Sequence, residues 1–157
     1  MKIRIVAVGK LKEPALFDLM QNYVRKIQPL CSLKVEEVKD FPLRKGMSTS
    51  VALNLEAEFI KERLSDDSFY VVMDVKGKQK SSEDLSVLLQ RWENESRKEV
   101  VFILGGPFGV SEELLRGARE RLSLSKMTFT HEMARVLLVE QLYRAYTILK
   151  NIPYHHA

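Results

Sequence analysis

A run of glycines directly follows one of the most apolar segments of the chain. Residues 105–109 read Gly-Gly-Pro-Phe-Gly, after the apolar run at residues 100–104. Glycine lets backbone amides and carbonyls approach a flat ligand closely. The run lacks the Gly-Lys-Ser/Thr ending of a phosphate loop and the spacing of a dinucleotide-binding motif, so a triphosphate or dinucleotide site is disfavoured. A strand-to-helix turn that needs glycine dihedrals is the alternative explanation.

Two further segments carry residues suited to ligand binding. Residues 122–130 alternate small hydroxyl side chains with apolar ones just before a predicted helix, although a strand followed by a helix cap would give the same pattern. Residues 73–78, Met-Asp-Val-Lys-Gly-Lys, end a predicted strand in a basic turn, which on its own favours a surface role. Ligands of open α/β sheets bind beyond the carboxyl ends of the strands. We therefore expect these segments and the glycine run to share one site.

Ionisable side chains concentrate on the last predicted helix. They are His131, Glu132, Arg135, Glu140 and Arg144. Glu140 and Arg144 lie one helical turn apart, so they share a helix face and can pair. A solvated, salt-bridged stripe would give the same spacing. The apolar stripe of this helix is broad for so short a chain, which predicts packing against a partner helix in a dimer.

Strand patterns and helix patterns alternate along the chain. Apolar, β-branched runs predict strands at residues 2–8, 33–38, 69–75, 100–104 and 122–129, the second more polar and near a sheet edge. Amphipathic spacing predicts a helix from Pro14 to before Pro29. Further helices should begin after caps at Ser48, Ser81 or Ser82, Ser111 and Thr130. This alternation predicts one α/β domain over residues 1–157, with a mostly parallel sheet covered by helices on both faces.

Composition limits the classes of function that fit. The chain has 157 residues, 45% of them hydrophobic, and a net charge of +4, which is compatible with a polyanionic partner without identifying one. The single cysteine, Cys31, excludes an internal disulfide and fits a reducing compartment. The three histidines are poorly spaced for a metal site, and no apolar run is long enough to span a membrane. We expect a cytoplasmic protein without a metal and without a membrane partner.

Read together, these motifs resemble the SPOUT-class methyltransferases, and specifically the RlmH family. The similar stretches are residues 2–10, 77–78, 104–109, 124–131, 135–145 and 153–155. The resemblance implies a SPOUT-like fold with a C-terminal trefoil knot and a homodimer. It also implies S-adenosylmethionine as the methyl donor and N3 of a pseudouridine in a stem-loop of bacterial 23S ribosomal RNA as the acceptor. Because the sequence shows no separate RNA-binding domain, we hypothesise that the dimer surface and the assembled ribosome supply target recognition.

The same resemblance implies where the methyl donor binds. The cofactor-binding residues carried over are Met73, Gly105, Leu124, Ser125, Lys126, Met127, Thr128 and Phe129. Much of this recognition should use backbone groups, in agreement with the glycine run. Relatives often have leucine where this chain has Met73, a similar apolar volume that leaves the expectation intact.

Candidate catalytic residues follow from the chemistry that the resemblance implies. They are His131, Arg135, Glu140, Arg144, Tyr154 and His155. N3 of a uracil-type base must lose a proton before it attacks, so we expect a histidine to handle the proton and an arginine to stabilise the anion or bind RNA phosphates. Glu140 would orient an arginine, and the short tail at residues 154–155 would complete the site of the partner protomer. The exposed lysines should contact phosphates: Lys10, Lys12, Lys76, Lys78 and Lys80.

Three other functions compete with this hypothesis. A methyltransferase of the same class could act on another RNA, such as tRNA. A non-catalytic ribosome-binding factor could use the same fold without a cofactor. A flavodoxin-like redox domain is disfavoured, because the loop after the first strand, residues 9–14, lacks the hydroxyl residues of a flavin phosphate loop.

Overall fold

The computed structural model describes residues 1–156, in which strands and helices alternate from end to end. The elements are β1 Lys2–Val8, α1 Pro14–Ile27, β2 Ser32–Val38, α2 Thr49–Lys61, β3 Tyr70–Gln79, α3 Ser82–Asn94, β4 Glu99–Leu104, α4 Glu112–Gly117, β5 Glu120–Ser123 and α5 His131–Leu149. The predicted domain at residues 1–157 extends one residue past this range.

The strands form one sheet of five strands in the order β2-β1-β4-β3-β5, and every neighbouring pair is parallel. The most apolar strands, β1 and β4, lie inside the sheet, where helices cover both faces. The more polar β2 lies at an edge, as predicted. The α/β class with a mostly parallel sheet is therefore confirmed.

Two apolar layers hold the helices against the sheet. On one face, α1, α3 and α5 pack on side chains such as Ile5 and Phe102, with Trp92 and Tyr146 fully buried among them. On the other face, α2 and α4 pack on Val6, Val72 and their neighbours. Coverage on both faces is confirmed. In residues 1–156 no helix has the length and apolar character needed to span a membrane.

The predicted helix caps stand where the sequence places them. Ser48, Ser111 and Thr130 each accept a hydrogen bond from a backbone amide of the turn that follows. Ser81, rather than Ser82, caps α3: its hydroxyl accepts a hydrogen bond from the Asp84 amide, and the Asp84 carboxylate accepts one from the Ser81 amide, which completes a capping box. These bonds satisfy amides that a helix leaves unpaired and so fix where each helix begins.

Two predicted element boundaries are wrong. The basic segment at residues 76–80 is mostly strand, because β3 resumes pairing with β5 after an irregularity between Met73 and Lys78. The segment at residues 124–129 is a loop, and β5 ends at Ser123. The Ser125 hydroxyl accepts from the Met127 amide at 2.9 Å, and Ser123 donates to the Ser125 carbonyl at 2.8 Å. Such local bonds replace a strand ladder.

The trefoil knot stays a prediction.

Candidate functional site

A crevice of about 480 Å³ opens at the carboxyl ends of β3, β4 and β5. Three separate segments line it, namely residues 73–76, 104–110 and 123–129 without Lys126, together with side chains from α2, α4 and α5. The volume lies within the range of roughly 300–1,000 Å³ typical of small-molecule sites. The three segments singled out in the sequence therefore meet at one place, as expected from the parallel sheet.

Most of the residues predicted to bind the cofactor line this crevice. They are Met73, Gly105, Leu124, Ser125, Met127, Thr128 and Phe129. Lys126 is not among the lining residues, and it is exposed. His131, the first residue of α5, also reaches the crevice, whereas Arg135, Glu140, Arg144, Tyr154 and His155 do not.

The glycine run forms a tight turn whose own packing demands glycine at position 105. A Cβ on Gly105 would lie 2.0 Å from the Gly109 carbonyl oxygen. The Gly109 amide donates to the Gly106 carbonyl at 3.0 Å, and Gly109 has a φ of +85°, a region that favours glycine. The turn explanation of this motif is therefore correct, and the turn also forms one wall of the crevice.

Two residues escaped the sequence reasoning, Arg121 at the crevice and Glu56 next to it. Arg121 pairs with Asp74 across β5 and β3, and Lys76 lies beside them. Glu56, buried on α2 beneath the glycine turn, accepts a hydrogen bond from the Phe41 amide at 2.8 Å. Burial raises the pKa of Glu56 above its ordinary value. The one signal in the sequence that could have identified Glu56 was a carboxylate among the apolar positions of a helix. Residue spacing could not show that the Phe41 amide would be its partner.

A second group of predicted residues gathers around the middle of α5. Arg144 donates to Glu140 through Nη2 at 2.6 Å and Nε at 3.0 Å, so the predicted pair forms. The Tyr154 hydroxyl donates to the same Glu140 oxygen at 3.0 Å, and the Arg144 guanidinium lies 4.7 Å over the Tyr154 ring. The tail after α5 thus folds back onto the helix. Burial and the bonds to Tyr23 and Glu140 raise the pKa of Tyr154, so its phenol stays protonated at neutral pH.

The imidazole of His155 is held between α5 and α3. Its Nδ1 faces Arg144 Nη1 at 3.4 Å, and its Nε2 lies 2.6 Å from Glu83 Oε1. Because arginine only donates, this arrangement fits an imidazole that carries its proton on Nε2 and accepts at Nδ1. Hydrogen bonds from its own amide, Ser81 and His155 lower the pKa of Glu83 to about 2.

Arg135 has a different environment from the other predicted catalytic residues. Its side chain is 1% exposed and donates to Glu37 at 2.7 Å and to the carbonyls of Val8 and Gly9 at 3.3 and 3.0 Å. Glu37 also accepts from the Leu11 amide. In the protomer this leaves no guanidinium surface for an RNA phosphate. Arg135 instead ties the start of α5 to the end of β1.

Distance along α5 separates the two groups of predicted catalytic residues. At ~1.5 Å of rise per residue, Arg144 lies about 20 Å further along the helix axis than His131. His131 therefore belongs to the crevice, whereas Glu140, Arg144, Tyr154 and His155 form a separate cluster, here called the tail cluster. Within residues 1–156 no group of His, Cys, Asp and Glu side chains is arranged to hold a metal.

The matching family and the known proteins of similar sequence are all described as methyltransferases. The family described as "Predicted SPOUT methyltransferase" matches residues 1–155. A protein of Christiangramia forsetii named "Ribosomal RNA large subunit methyltransferase H" is 40% identical over 156 residues, covering 99% of both chains. A protein of the same name from Maridesulfovibrio salexigens is 41% identical over 155 residues, covering 99% of this chain and 98% of its own.

Solved structures support the fold. A probable methyltransferase from Bordetella pertussis Tohama I superposes with a TM-score of 0.59 at 14% identity, over 92% of this chain and 94% of that one. The tRNA (m1G37) methyltransferase from Aquifex aeolicus superposes with a TM-score of 0.58 at 13% identity, over 99% of this chain and 74% of that one. At such identities the likeness concerns the fold alone. With the full-length sequence matches, it follows that this chain belongs to the SPOUT methyltransferase family, among relatives named ribosomal RNA large subunit methyltransferase H.

Proposed function

We propose that this chain methylates N3 of a pseudouridine in 23S ribosomal RNA, with S-adenosylmethionine bound in the crevice. The observation that carries the proposal is the meeting of three sequence segments, distant along the chain, in one crevice at the carboxyl edge of the sheet. The full-length similarity to proteins named ribosomal RNA large subunit methyltransferase H supports the choice of ribosomal RNA over tRNA.

The chemistry of the crevice fits an adenosine joined to an amino acid. Met73, Leu124 and Phe129 offer apolar surface to a flat base, and the glycine turn brings backbone groups close to it. Asp74 and Arg121 add a carboxylate and a cation at the same wall. Such a mixture of apolar walls with few charged groups is typical of a site for a small zwitterionic ligand.

When bound, S-adenosylmethionine supplies an electrophilic methyl carbon on a positively charged sulfur. The acceptor nitrogen must lose its proton, and His131 at the rim of the crevice is positioned to receive it. Arg144, oriented by Glu140, would stabilise the negative charge of the deprotonated base. Tyr154 keeps its proton and would donate a hydrogen bond to a carbonyl of the base.

The tail cluster would act on the crevice of a second protomer. It lies about 20 Å along α5 from His131, too far to reach the crevice of its own chain directly. A homodimer that places the tail cluster of one protomer over the crevice of its partner resolves this separation. The working state would then be a cytoplasmic homodimer acting on RNA, with the assembled ribosome as the expected substrate.

Mass spectrometry of ribosomal RNA tests the reaction. Deletion of the gene should remove one methyl group at one uridine-derived position, and the purified protein should restore it with S-adenosylmethionine. Ribosomal subunits and tRNA are offered in parallel, because transfer to tRNA alone would refute the choice of substrate. Calorimetry with S-adenosylmethionine should show binding. A protein that binds no cofactor and leaves the RNA spectrum unchanged would instead be a ribosome-binding factor.

A further inference from the structure

We infer that the loop between β2 and α2, residues 39–47, is an RNA-binding arm beside the crevice, and we call it the β2–α2 arm. It would contact backbone phosphates near the target nucleotide. The inference rests on the proposed function, since it names the surface that holds the RNA while the crevice acts on one base. The arm is distinct from the lysines of β3, a strand that β1 and β4 separate from β2.

The β2–α2 arm begins next to the crevice. A Cβ built on Gly9 would lie 3.8 Å from Asp40 Cβ and 4.0 Å from His131 Nε2, so the first residues of the arm adjoin the histidine at the rim. The base of the arm is fixed. Phe41 stacks on Phe59 with 6.2 Å between ring centroids and donates its amide to Glu56. Leu53, in the helix that follows the arm, lines the crevice itself.

The cations of this region have no acidic ion-pair partner among the residues that the structure describes. Lys39, Arg44 and Lys45 are exposed, as are Lys10 and Lys12 in the neighbouring loop after β1. None of these cations forms an ion pair with any of residues 1–156. In the middle of β1 and β2, by contrast, Arg4 and Lys34 both pair with Glu36. The charge at the crevice end is therefore free for an external anion.

Local backbone structure presents two of these cations at the tip of the arm. Arg44 and Lys45 lie in a tight turn that the Met47 amide closes by donating to the Arg44 carbonyl at 2.9 Å. Gly46 adopts a φ of +82°, and apart from its two chain neighbours none of residues 1–156 lies within 4 Å of the position its Cβ would take. The tip therefore projects away from the body of the protein while its base stays anchored.

The position of the arm suits an extended polyanion. The arm follows β2, whereas Lys76, Lys78 and Lys80 belong to or follow β3, with β1 and β4 between the two strands. At ~4.8 Å per strand, the two basic flanks lie roughly 14 Å apart across the sheet. The crevice lies at the carboxyl ends of β4, β3 and β5, so a nucleotide that enters it would leave the neighbouring RNA backbone near the cations of both flanks. Contacts of this kind hold RNA without reading its sequence.

A charge-matched pair of double variants tests the inference. Arg44→Gln with Lys45→Gln removes two cations from the tip, and Arg25→Gln with Lys26→Gln removes two exposed cations from the last turn of α1, which ends just before β2 begins and so lies toward the amino ends of the strands. Binding of a 23S ribosomal RNA stem-loop is measured across a range of salt concentrations. The tip variant should bind several-fold more weakly. The slope of log K against log[salt] should become shallower by roughly one unit for each cation removed.

Steady-state kinetics adds a readout that misfolding would not reproduce. The tip variant should raise KM for RNA at an unchanged kcat and an unchanged affinity for S-adenosylmethionine, whereas the α1 variant should match the unmodified protein. Equal effects of the two variants would overturn the inference, because net charge alone would then explain them. A change in oligomeric state of the tip variant by light scattering would also overturn it and assign the arm to a protein interface.

The proposed function can fail separately from this inference. RNA binding and its salt dependence are measured without turnover, so they judge the arm even if no methyl group is transferred. An unmodified protein that binds the stem-loop through the arm but never methylates it would refute the proposed function alone. If the tip variant methylates RNA at the normal rate even at low RNA concentration, the role of the arm is refuted and the proposed function stands.

Discussion

Replacement of Gly105 by alanine should disable the crevice while leaving the fold intact. The new Cβ would lie 2.0 Å from the Gly109 carbonyl oxygen, where real Cβ atoms stay at least 3.0 Å from other atoms. The turn at residues 105–109 must therefore open by about 1 Å, since packed cores and turns resist overpacking. Because this turn forms one wall of the crevice, the displacement would move backbone groups that face the cofactor.

The size of the effect follows from that displacement. A misplacement of ~1 Å at a site of this kind costs about 100-fold in rate, or about 2.7 kcal/mol of transition-state stabilisation. Overpacking should also lower the free energy of unfolding by about 1–3 kcal/mol, which corresponds to a drop in Tm of roughly 2–12 °C for a chain of this size. The loss of activity should persist well below the lowered Tm.

Gly106→Ala provides the matched control in the next residue. A Cβ on Gly106 would meet Val8 at 3.5 Å and Glu56 at 3.9 Å, which are ordinary contacts directed away from the crevice. Calorimetry with S-adenosylmethionine, methylation kinetics and thermal unfolding compare the two variants. We expect Gly106→Ala to stay within about threefold of the unmodified protein, the usual tolerance for a contact that needs no rearrangement. Normal cofactor affinity in Gly105→Ala would refute the assigned role of the turn.

Further predictions concern the buried and paired groups. Arg135→Met should lower the free energy of unfolding by about 2–3 kcal/mol, less than for a fully buried pair because Glu37 stays 35% exposed; an unchanged denaturant midpoint would contradict this. Folding lowers the pKa of Glu83 from 4.5 to about 2, so its contribution to stability is present above pH 4.5 and is lost as pH falls toward 2. Acid titrations of unfolding should therefore show a shallower loss in Glu83→Gln over that window. Burial raises the pKa of the Cys31 thiol to about 11, so iodoacetamide should modify it slowly at pH 8 in the folded protein and quickly in denaturant. Lys126→Gln should keep its affinity for S-adenosylmethionine, whereas a clear loss would place Lys126 in the cofactor site after all.

Local patterns in the sequence predicted most of the elements correctly. Caps such as Ser48 and Thr130 act within one turn of helix, so residue type and position are enough to place them. The limits of local reasoning show at residues 124–129 and 76–80. There, the residue pattern predicted an extended segment and a basic turn, but the hydrogen bond that the Ser125 hydroxyl accepts from the Met127 amide and the renewed pairing of Lys78 with Leu122 decided otherwise.

The candidate site also combines features that the sequence predicts with features that it does not. The crevice segments were predictable because parallel strands bring their carboxyl ends to one edge, whichever strands are neighbours. The sequence could not tell that Arg135 would be buried against Glu37, since that pairing joins the start of α5 to the end of β2. Nor could it tell that the residues of the tail cluster would gather at a distance from His131.

The sequence by itself determined the class of fold, the helix starts, the family and the segments that form the crevice. These depend on the period of the apolar residues, on caps and on motifs that are local or ordered along the chain. Tertiary structure alone decided the strand order, the burial of Arg135, the support of Glu56 beneath the glycine turn and the contact of His155 with Glu83. Such contacts depend on which surfaces fold against each other, and residue spacing does not carry that information.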